Sequence, residues 1–411
     1  MGQLKVKRRF PGVKELAGLM RFRKPIFNGR KRRLSRALTI YDLRDIAKRR
    51  TPQAPFDYTD GGADSESSLT RARSTFERVE FQPRILRDVS VVDTSVVMLG
   101  QKTSMPIGIA PTGFTRMMQT EGEYAGATAA RDAGIPYTLS TMGTRSIEDV
   151  ARIAPDGRNW FQLYMWKDRD ASMELVRRAQ AAGVKNLLLT VDVPVAGARL
   201  RDVRNGLTVP PKIGLKTFFD MALKPKWWAN LLTTAPLEFA TFRNFNKPLS
   251  EIAAKVFDPA VTFEDVKWLR SVWKGKLIIK GIQTVSDAVE LTKIGVDAIV
   301  LSNHGGRQLD RSVVPLELLP QVRSAIGAKG NGPQIFIDGA IMSGADVLAA
   351  IALGADAVLI GRAYLYGAMA AGKKGVEKVV EMLRFEMETA MKLLGAKDLS
   401  ELNPDFVNIR N

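Results

Sequence analysis

The sequence contains no cysteine and a single histidine, His304, among its 411 residues. The absence of cysteine excludes structural disulfides, thiolate metal sites and cysteine nucleophiles. A single imidazole excludes a zinc site built from several histidines, and any chemistry that needs two of them. We therefore expect a protein without a metal site.

Long apolar runs are also missing. No segment reaches the roughly 18 consecutive apolar residues that a membrane-spanning helix needs. The N-terminus carries positive charge, but it has neither the apolar core nor the small-residue cleavage site of a secretory signal. The sequence therefore predicts a cytoplasmic protein that is at most peripheral on the inner face of the cell membrane.

Positive charge is concentrated at the N-terminus. The net charge is +18, of which residues 1–36 contribute +12; we call this segment the basic arm. One interpretation is a solvated tail, and the other is a contact with an anionic surface. The arm has few aromatic residues and no nucleic-acid motif follows it, so lipid headgroups are favoured over nucleic acid.

A short apolar strand followed by an amphipathic helix recurs from about residue 100. Continuous apolar runs, without alternation, are typical of parallel strands that are covered on both faces. Eight such units predict an α/β fold of the (β/α)8 TIM-barrel class. The alternative is an open doubly wound sheet, but residues 110–114 lack its glycine-rich dinucleotide motif. The predicted strands are residues 105–110, 137–140, 160–165, 187–193, 277–282, 298–302, 335–338 and 357–360, and the clearest helices are residues 121–132, 171–182, 284–294 and 344–353.

Two segments fall outside this repeat, although we assign both to one barrel domain, residues 37–411. Residues 37–99 form a helical lead-in. Residues 205–261 are a long insertion after the fourth strand, which is typical of a lid or binding loop. Trp227 and Trp228 of the insertion fit either an interfacial membrane anchor or a small core of the insertion itself. In the lead-in, helices are predicted at residues 40–49 and 65–76.

Polar side chains collect at the C-terminal ends of the predicted strands, where the active sites of barrels lie. His304 follows the sixth strand and is flanked by glycine, so a ligand can approach it closely. We interpret it as a general base rather than a structural histidine. Asp192, after the fourth strand, is placed to orient it, the alternative being an ordinary capping residue. Arg307 is a candidate clamp for a carboxylate.

Lys280 ends the apolar fifth strand, where its charge must find an anion. The anion is either a neighbouring carboxylate or an electron-rich cofactor ring, and no acidic residue is close in sequence. Gly339, Gly361 and Arg362 follow the seventh and eighth strands, where barrels bind phosphate. Glycine-rich strand ends also occur as plain turns.

The run Ser302-Asn303-His304-Gly305-Gly306-Arg307-Gln308-Leu309-Asp310 resembles the active-site signature of the FMN-dependent α-hydroxy-acid dehydrogenases and oxidases. Within that family the chain is most similar to the bacterial respiratory L-lactate dehydrogenases. The resemblance extends from about residue 38 to residue 362 and beyond. It includes Phe56-Asp57-Tyr58, Ala110-Pro111-Thr112-Gly113, Phe161-Gln162-Leu163-Tyr164, Thr190-Val191-Asp192, Lys280-Gly281 and Ile360-Gly361-Arg362.

The resemblance implies FMN-dependent oxidation of an L-2-hydroxy acid, foremost L-lactate to pyruvate. It makes His304 the base that removes the C2 hydroxyl proton while a hydride passes to N5 of the flavin, with Asp192 stabilising the imidazolium. Tyr164 joins them as a catalytic residue. The substrate-binding residues that the resemblance implies are Tyr58, Tyr164, Arg199 and Arg307.

The same resemblance implies a set of FMN-binding residues, in which Lys280 faces N1 and O2 of the ring and Arg362 holds the phosphate. The chain departs from the family at the phosphate loop, where Met342 stands in place of an expected arginine. Either Ser343 and backbone N–H groups compensate, or FMN is held less tightly. The implied FMN-binding residues are Pro111, Thr112, Gly113, Ser140, Gln162, Thr190, Lys280, Ser302, Asp338, Gly339, Gly361 and Arg362.

Three hypotheses for the activity remain open at this point. The first passes electrons to a quinone from a position on an anionic membrane, held there by the basic arm and the insertion. The second passes them to O2, as an oxidase or monooxygenase. The third is a barrel that binds a phosphate-containing ligand without redox chemistry. The family resemblance also implies a homotetramer.

Overall fold

The computed structural model describes residues 9–19, 25–207, 214–242 and 257–410. Parts of the basic arm and of the insertion, residues 1–8, 20–24, 208–213 and 243–256, lie outside the described residues, as does residue 411.

Eight parallel strands close into a barrel, as the sequence predicts, so the doubly wound alternative is wrong. Each barrel strand pairs with the next one in the chain, and the last strand pairs with the first. The barrel strands are β4 (Ile107–Ile109), β5 (Pro136–Leu139), β6 (Arg158–Leu163), β7 (Asn186–Thr190), β8 (Lys276–Ile282), β9 (Ala298–Leu301), β10 (Gln334–Asp338) and β11 (Ala357–Ile360). Outside the barrel, β1 (Val79–Phe81) pairs with β12 (Val407–Ile409), and β2 (Val96–Met98) pairs with β3 (Gln101–Thr103).

Helices surround the barrel and build the segments that precede and interrupt it. They are α1 (Val13–Leu19), α2 (Gly29–Leu34), α3 (Ile40–Arg50), α4 (Gln53–Asp60), α5 (Ser67–Glu77), α6 (Thr115–Met118), α7 (Glu123–Ala133), α8 (Ile147–Ile153), α9 (Arg169–Ala181), α10 (Leu200–Arg204), α11 (Leu215–Ala222), α12 (Pro225–Leu232), α13 (Phe263–Val272), α14 (Val285–Ile294), α15 (Pro315–Ile326), α16 (Gly344–Ala352), α17 (Arg362–Ala371) and α18 (Lys373–Leu394). None of the helices in the described parts of the chain is both long and apolar enough to cross a membrane.

The barrel strands are apolar throughout because both of their faces are buried. On β8, Ile278 belongs to the cluster inside the barrel, whereas Leu277 and Ile279 belong to the layer between strands and helices. Trp160 and Phe336 stack inside the barrel with their ring centroids 6.1 Å apart. This double burial explains why the runs lack the polar alternation of a half-exposed sheet.

The lead-in contains the two predicted helices, which are α3 and α5, and one more, α4. The prolines at positions 52 and 55 obscured α4, although proline is tolerated in the first turn of a helix. Helix α3 begins at a capping box between Thr39 and Asp42 and packs on α17. Helix α5 is tied to the loop after β9, because Asp310 accepts a hydrogen bond from the backbone N–H of Ser68 at 2.8 Å. The lead-in thus lies over the C-terminal ends of the strands.

The two tryptophans of the insertion, whose roles the sequence left open, lie in different environments. Trp227 turns inward and donates its indole N–H to the carbonyl of Met117 at 2.9 Å. Trp228 stays 40% exposed. Trp227 therefore fastens the insertion to the barrel, and only Trp228 is available to an outside surface.

Part of the basic arm is structured. Helix α2, within the arm, packs against α17 of the barrel, whereas residues 9–17 are exposed. The interpretation of the arm as a solvated tail therefore does not hold for residues 29–34.

Candidate active site

His304 and Asp192 form a hydrogen-bonded pair at the mouth of the barrel. The Nδ1 atom of His304 lies 3.0 Å and 3.2 Å from the two carboxylate oxygens of Asp192. The Asp192 side chain is only 1% exposed, and the His304 ring lines a cleft. Because Nδ1 is engaged by the carboxylate, Nε2 is the ring nitrogen left to act on a ligand.

The backbone at His304 explains its position. His304 begins a 3₁₀ turn directly after β9 and has a left-handed φ of 57°, which is uncommon for a residue with a side chain. Its N–H donates to the Ser302 hydroxyl at 3.0 Å, and Asn303 caps the turn by accepting from the Gly306 N–H at 3.1 Å. These contacts hold the imidazole against Asp192.

The protonation states suit a general base. Burial lowers the pKa of His304, and the Asp192 carboxylate, which raises it, does not fully offset that effect. Burial pushes the pKa of Asp192 upward, but His304 and Lys280 hold it below its usual value. At neutral pH the pair is therefore an ionised carboxylate beside a neutral imidazole.

Lys280 has a carboxylate partner that the sequence did not reveal. Its ammonium lies 2.9 Å from Asp338 and donates to the Ser302 hydroxyl at 2.8 Å. The side chains of Lys280 and Asp338 are 5% and 10% exposed. These residues lie at or next to the C-terminal ends of strands β8, β9 and β10, which are neighbours in the barrel. Burial lowers the pKa of Lys280, but Asp338 and Asp192 raise it by more than burial lowers it. The net pKa is therefore above its ordinary value, and the ammonium stays charged.

Three arginines, Arg199, Arg307 and Arg362, surround the mouth without forming an ion pair with any described carboxylate. Arg362 donates to the carbonyl groups of Thr59, Gly305 and Gly61 at 2.9, 2.9 and 2.7 Å. Arg307 donates to the carbonyl of Tyr58, and Arg199 donates to the side chain of Gln308 at 3.2 Å. Burial and the charge of Arg199 lower the pKa of Arg307 to about 10. This end of the site is therefore suited to anions.

Two tyrosines complete the wall beside the arginines. The Arg307 guanidinium carbon lies 4.7 Å from the ring centroid of Tyr58, which α4 delivers from the lead-in. Tyr164 packs edge-on against Phe257 with centroids 5.4 Å apart. Burial raises the pKa of Tyr164 far above its ordinary value, so its hydroxyl stays protonated and can donate a hydrogen bond.

A cleft of about 620 Å³, which we call the main cleft, connects these groups. Most predicted site residues line it; Gln162, Thr190, Asp192 and Ser302 are not among its lining residues. Thr190 lines a separate small cavity beside Tyr164. The predicted residues in the wall are Tyr58, Pro111, Thr112, Gly113, Ser140, Tyr164, Arg199, Lys280, His304, Arg307, Asp338, Gly339, Gly361 and Arg362.

The strand ends leave hydrogen-bonding capacity for a ligand. Within the described chain, three buried atoms here have no partner: Gln162 Nε2, Thr190 Oγ1 and Asp338 Oδ1. The amide of Gln162 is oriented because its oxygen accepts from the Ser140 hydroxyl at 3.2 Å and the Thr141 N–H at 3.1 Å. Unpaired buried polar atoms are costly unless a ligand satisfies them. The site therefore fits a polar ring at the strand ends and an anionic group near Arg362.

The loop after β10 carries Ser343, one of the groups that the sequence offered in place of the missing arginine. Ser343 caps α16 by accepting from the Asp346 N–H at 3.1 Å, so its hydroxyl is engaged in the cap. Sequence reasoning missed Arg73, which α5 brings to this loop. Arg73 donates to the carbonyl of Ala340 at 2.8 Å and pairs with Asp346 at 2.7 Å. Nothing in the sequence signals this contact between residues so far apart.

Gly281 is a second residue whose importance the sequence understated. Its φ is 108°, and a Cβ atom there would come within 2.6 Å of the Asp192 side chain. The dipeptide Lys280-Gly281 was visible in the sequence, but only the folded backbone shows that a side chain here would displace Asp192.

Residues 47–409 match the sequence profile of the family described as FMN-dependent dehydrogenase. A Mycobacterium tuberculosis protein provisionally named L-lactate dehydrogenase is 56% identical over 402 residues, covering 98% of this chain and 96% of the relative. An L-lactate oxidase from Nostoc sp. is 39% identical over 386 residues, covering 92% and 99%. The crystal structure of monotopic membrane protein (S)-mandelate dehydrogenase matches with a TM-score of 0.87 at 35% identity, covering 91% of this chain and all of that one. The profile match spans every residue of the site.

Replacing Lys280 with methionine should destabilise the fold, because Asp338 would remain buried without its partner. Removing one member of a buried ion pair typically costs about 3–5 kcal/mol. Urea denaturation should show a loss of this size in the free energy of unfolding, most of which the Lys280→Met/Asp338→Asn double variant should restore. A single variant as stable as the wild type would show that the pair is not needed to compensate Asp338.

Proposed function

This chain belongs to the FMN-dependent dehydrogenase family, and from that premise we propose that it oxidises an L-2-hydroxy acid, foremost L-lactate to pyruvate. The observation that carries the proposal is the His304–Asp192 pair in one cleft with arginines that have no carboxylate partner among the described residues. Membership in this oxidoreductase family sets aside the hypothesis of a barrel without redox chemistry.

FMN, when bound, supplies the two-electron redox chemistry of the family. The residues that would hold it fit its chemistry. Gln162 and Thr190 offer unpaired polar atoms to the ring, and Lys280 adds a buried positive charge. Arg362 and the backbone at Gly361 would hold the phosphate. The other predicted FMN-binding residues stay predictions.

His304 takes the proton in the proposed reaction. Its Nε2 accepts the C2 hydroxyl proton, and the ionised Asp192 carboxylate, 3.0 Å from Nδ1, stabilises the imidazolium that forms. Because Asp192 fixes the ring through Nδ1, the imidazole keeps the tautomer that leaves Nε2 able to accept. A positioned general base contributes roughly 10²–10⁴-fold to a rate.

Arg307 and Arg199 are proposed to hold the substrate carboxylate. Both line the main cleft beside His304, and a guanidinium can hold a carboxylate through two parallel hydrogen bonds. Tyr164 and Tyr58 lie in the same wall and are proposed to hydrogen-bond the substrate. Fixing the carboxylate places the C2 hydroxyl in a defined position relative to the base.

A quinone in an anionic membrane is the proposed electron acceptor. Helices α11 and α12 of the insertion present a set of exposed apolar side chains, as expected of a surface that enters a lipid interface. The similarity to a solved monotopic membrane protein supports the same interpretation. The exposed side chains are Leu215, Phe218, Phe219, Leu223, Trp228 and Leu232.

The similarity to an L-lactate oxidase keeps O2 as an outcome of the acceptor test. The homotetramer stays a prediction of the family resemblance.

Changing His304 to glutamine should keep the protein folded and yellow but lower lactate-dependent dye reduction about 10²–10⁴-fold, because the general base is lost. Flavin absorbance and steady-state rates measure the two effects separately. Leu309→Gln, in the same loop and 70% exposed, is the matched control and should keep its activity. If His304→Gln stayed within tenfold of the wild type, the histidine would be structural.

The pH profile should reflect the buried position of His304. The base works when neutral, and burial holds its pKa below the ordinary 6.5. The kcat/KM for lactate should therefore fall at low pH, with its half-maximal point below pH 6.5, as His304 gains a proton. In Asp192→Asn the half-maximal point should move to still lower pH, because the carboxylate that raises the His304 pKa is gone. A wild-type half-maximal point above pH 6.5 would contradict this assignment.

The acceptor and the membrane surface can be tested together with Phe218→Glu/Phe219→Glu. We expect this variant to lose reduction of a quinone embedded in anionic vesicles and to keep reduction of a soluble dye. Leu393→Glu, an exposed change on α18, is the control. Hydrogen peroxide formed faster than quinone is reduced would favour the oxidase, and equal quinone reduction by variant and wild type would exclude this surface.

A further inference from the structure

A second concave surface lies outside the main cleft, where the basic arm, the lead-in and the insertion meet. It consists of two adjoining cavities of about 300 and 680 Å³, bounded by α2, α3 and α12, and we call it the basic cleft. Within the described chain no aspartate or glutamate lines either cavity. The cations that line them are Arg30, Arg33, Arg49, Arg50, Arg116, Lys224 and Lys226.

Two arginines of this cleft lack a neutralising carboxylate in the described parts of the chain. Arg33 and Arg50 form no ion pair with a described residue, and the Nε atom of each is buried without a hydrogen-bond partner. Burial and repulsion from Arg50 and Arg30 lower the pKa of Arg33, and burial and Arg30 lower the pKa of Arg50. Like charges held together in a partly buried site repel each other, and a bound anion would relieve that repulsion.

Two partly buried arginines elsewhere in the protein are paired with carboxylates. Arg44 lies 2.6 Å from Asp60, and Arg169 lies 2.8 Å from Asp258. Arg33 and Arg50 in the basic cleft therefore differ from these ion-paired arginines. The basic cleft resembles the mouth of the main cleft, where unpaired arginines are proposed to meet anions.

The donor set fits a phosphate group. Arginine forks bind phosphate oxygens through two hydrogen bonds, and lysines contribute point charges. Arg50 and Lys226 line both cavities, and Asn230 beside them is a neutral amide donor. A phosphate between Arg50 and Lys226 would therefore contact groups from the lead-in and from the insertion at once.

The surface beside the basic cleft indicates what kind of molecule carries the phosphate. Helix α12 lines the basic cleft through Lys226 and Asn230, and the same helix exposes Trp228 and Leu232. A headgroup in the cleft would thus lie beside apolar side chains suited to the acyl-chain boundary. We infer that the basic cleft binds the phosphate of an anionic phospholipid headgroup. The inference rests on the proposed membrane association and gives it a specific site.

The basic cleft is also close to the main cleft. Met118, at the end of α6, lines both. A headgroup bound in the basic cleft would therefore place the lipid surface on the side of the barrel where α6 separates the two cavities. This is the side from which a lipid-soluble acceptor would approach.

The test compares the full-length flavoprotein with its Arg50→Gln/Lys226→Gln variant. The probe is sedimentation with phosphatidylcholine vesicles with and without phosphatidylglycerol, in about 0.1 M salt, where the Debye length is about 10 Å. We expect binding to the phosphatidylglycerol vesicles to weaken about 30-fold, since a basic residue near an anionic surface contributes about 1 kcal/mol. Lys185→Gln/Lys274→Gln removes the same charge from exposed positions near the opposite end of β7 and β8, and it should bind as the wild type does.

Folding and activity are measured on the same preparations. The variant removes repelling charges, so its thermal midpoint should not fall. If the midpoint does fall, the vesicle test is repeated with the single variant Lys226→Gln, because Lys226 is exposed and its loss should not destabilise the fold. Lactate oxidation with a soluble dye should be unchanged. Vesicle binding without lactate oxidation would count against the proposed activity and leave the headgroup site standing.

Four results would overturn the inference. The first is equal vesicle binding by wild type and variant. The second is thermal stabilisation of the wild type by inorganic phosphate without any vesicle binding, which would assign the cleft to a soluble phosphate ligand. The third is a loss of vesicle binding in the control variant that is as large as the loss in the cleft variant. Net charge alone would then explain the effect. Stabilisation by an oligonucleotide without vesicle binding would also exclude the lipid.

Discussion

Parallel pairing of β11 with β4 closes the barrel, through the contacts of Ile107 with Val358 and Ile109 with Ile360. Because all eight strands run in the same direction, closure brings their C-terminal ends to one mouth. Asp192, Lys280, His304 and the loop after β11 come from distant parts of the chain, and only this geometry makes them neighbours. The site depends on the closed barrel in this direct sense.

Burial at that mouth then decides which charges must be paired. Lys280 meets Asp338 at 2.9 Å, and His304 meets Asp192 at 3.0 Å, so each buried carboxylate faces a cation or an imidazole. An unpaired buried charge would be far costlier than these pairs. The arginines at the rim have no such partner among the described residues, and the basic cleft repeats this arrangement. Unbalanced cations mark the two places where the fold is suited to receive an anion from outside.

The insertion and the basic arm add a second level of organisation to the barrel. Trp227 fastens the insertion to the carbonyl of Met117, and helix α2 of the arm packs on α17. These contacts set the walls of the basic cleft and leave the apolar side chains of α11 and α12 exposed. The insertion also reaches the main cleft, because Phe257 packs against Tyr164 with ring centroids 5.4 Å apart.

The sequence by itself determined the eight strands, four of the helices between them and the cluster of polar residues at the strand ends. These features depend on local chemistry: strand burial on both faces gives unbroken apolar runs, and the glycines around His304 lie within a few residues of it. Tertiary structure alone decided the partner of Lys280, the inward turn of Trp227, the capping role of Ser343, the approach of Arg73 to the loop after β10, and the basic cleft. Each of these is a contact between segments far apart in the chain, set by strand register and helix packing. The composition of the basic arm showed how much positive charge was present, but only the folded chain places part of it, on α2, in the lining of a cavity that α3 and α12 also line.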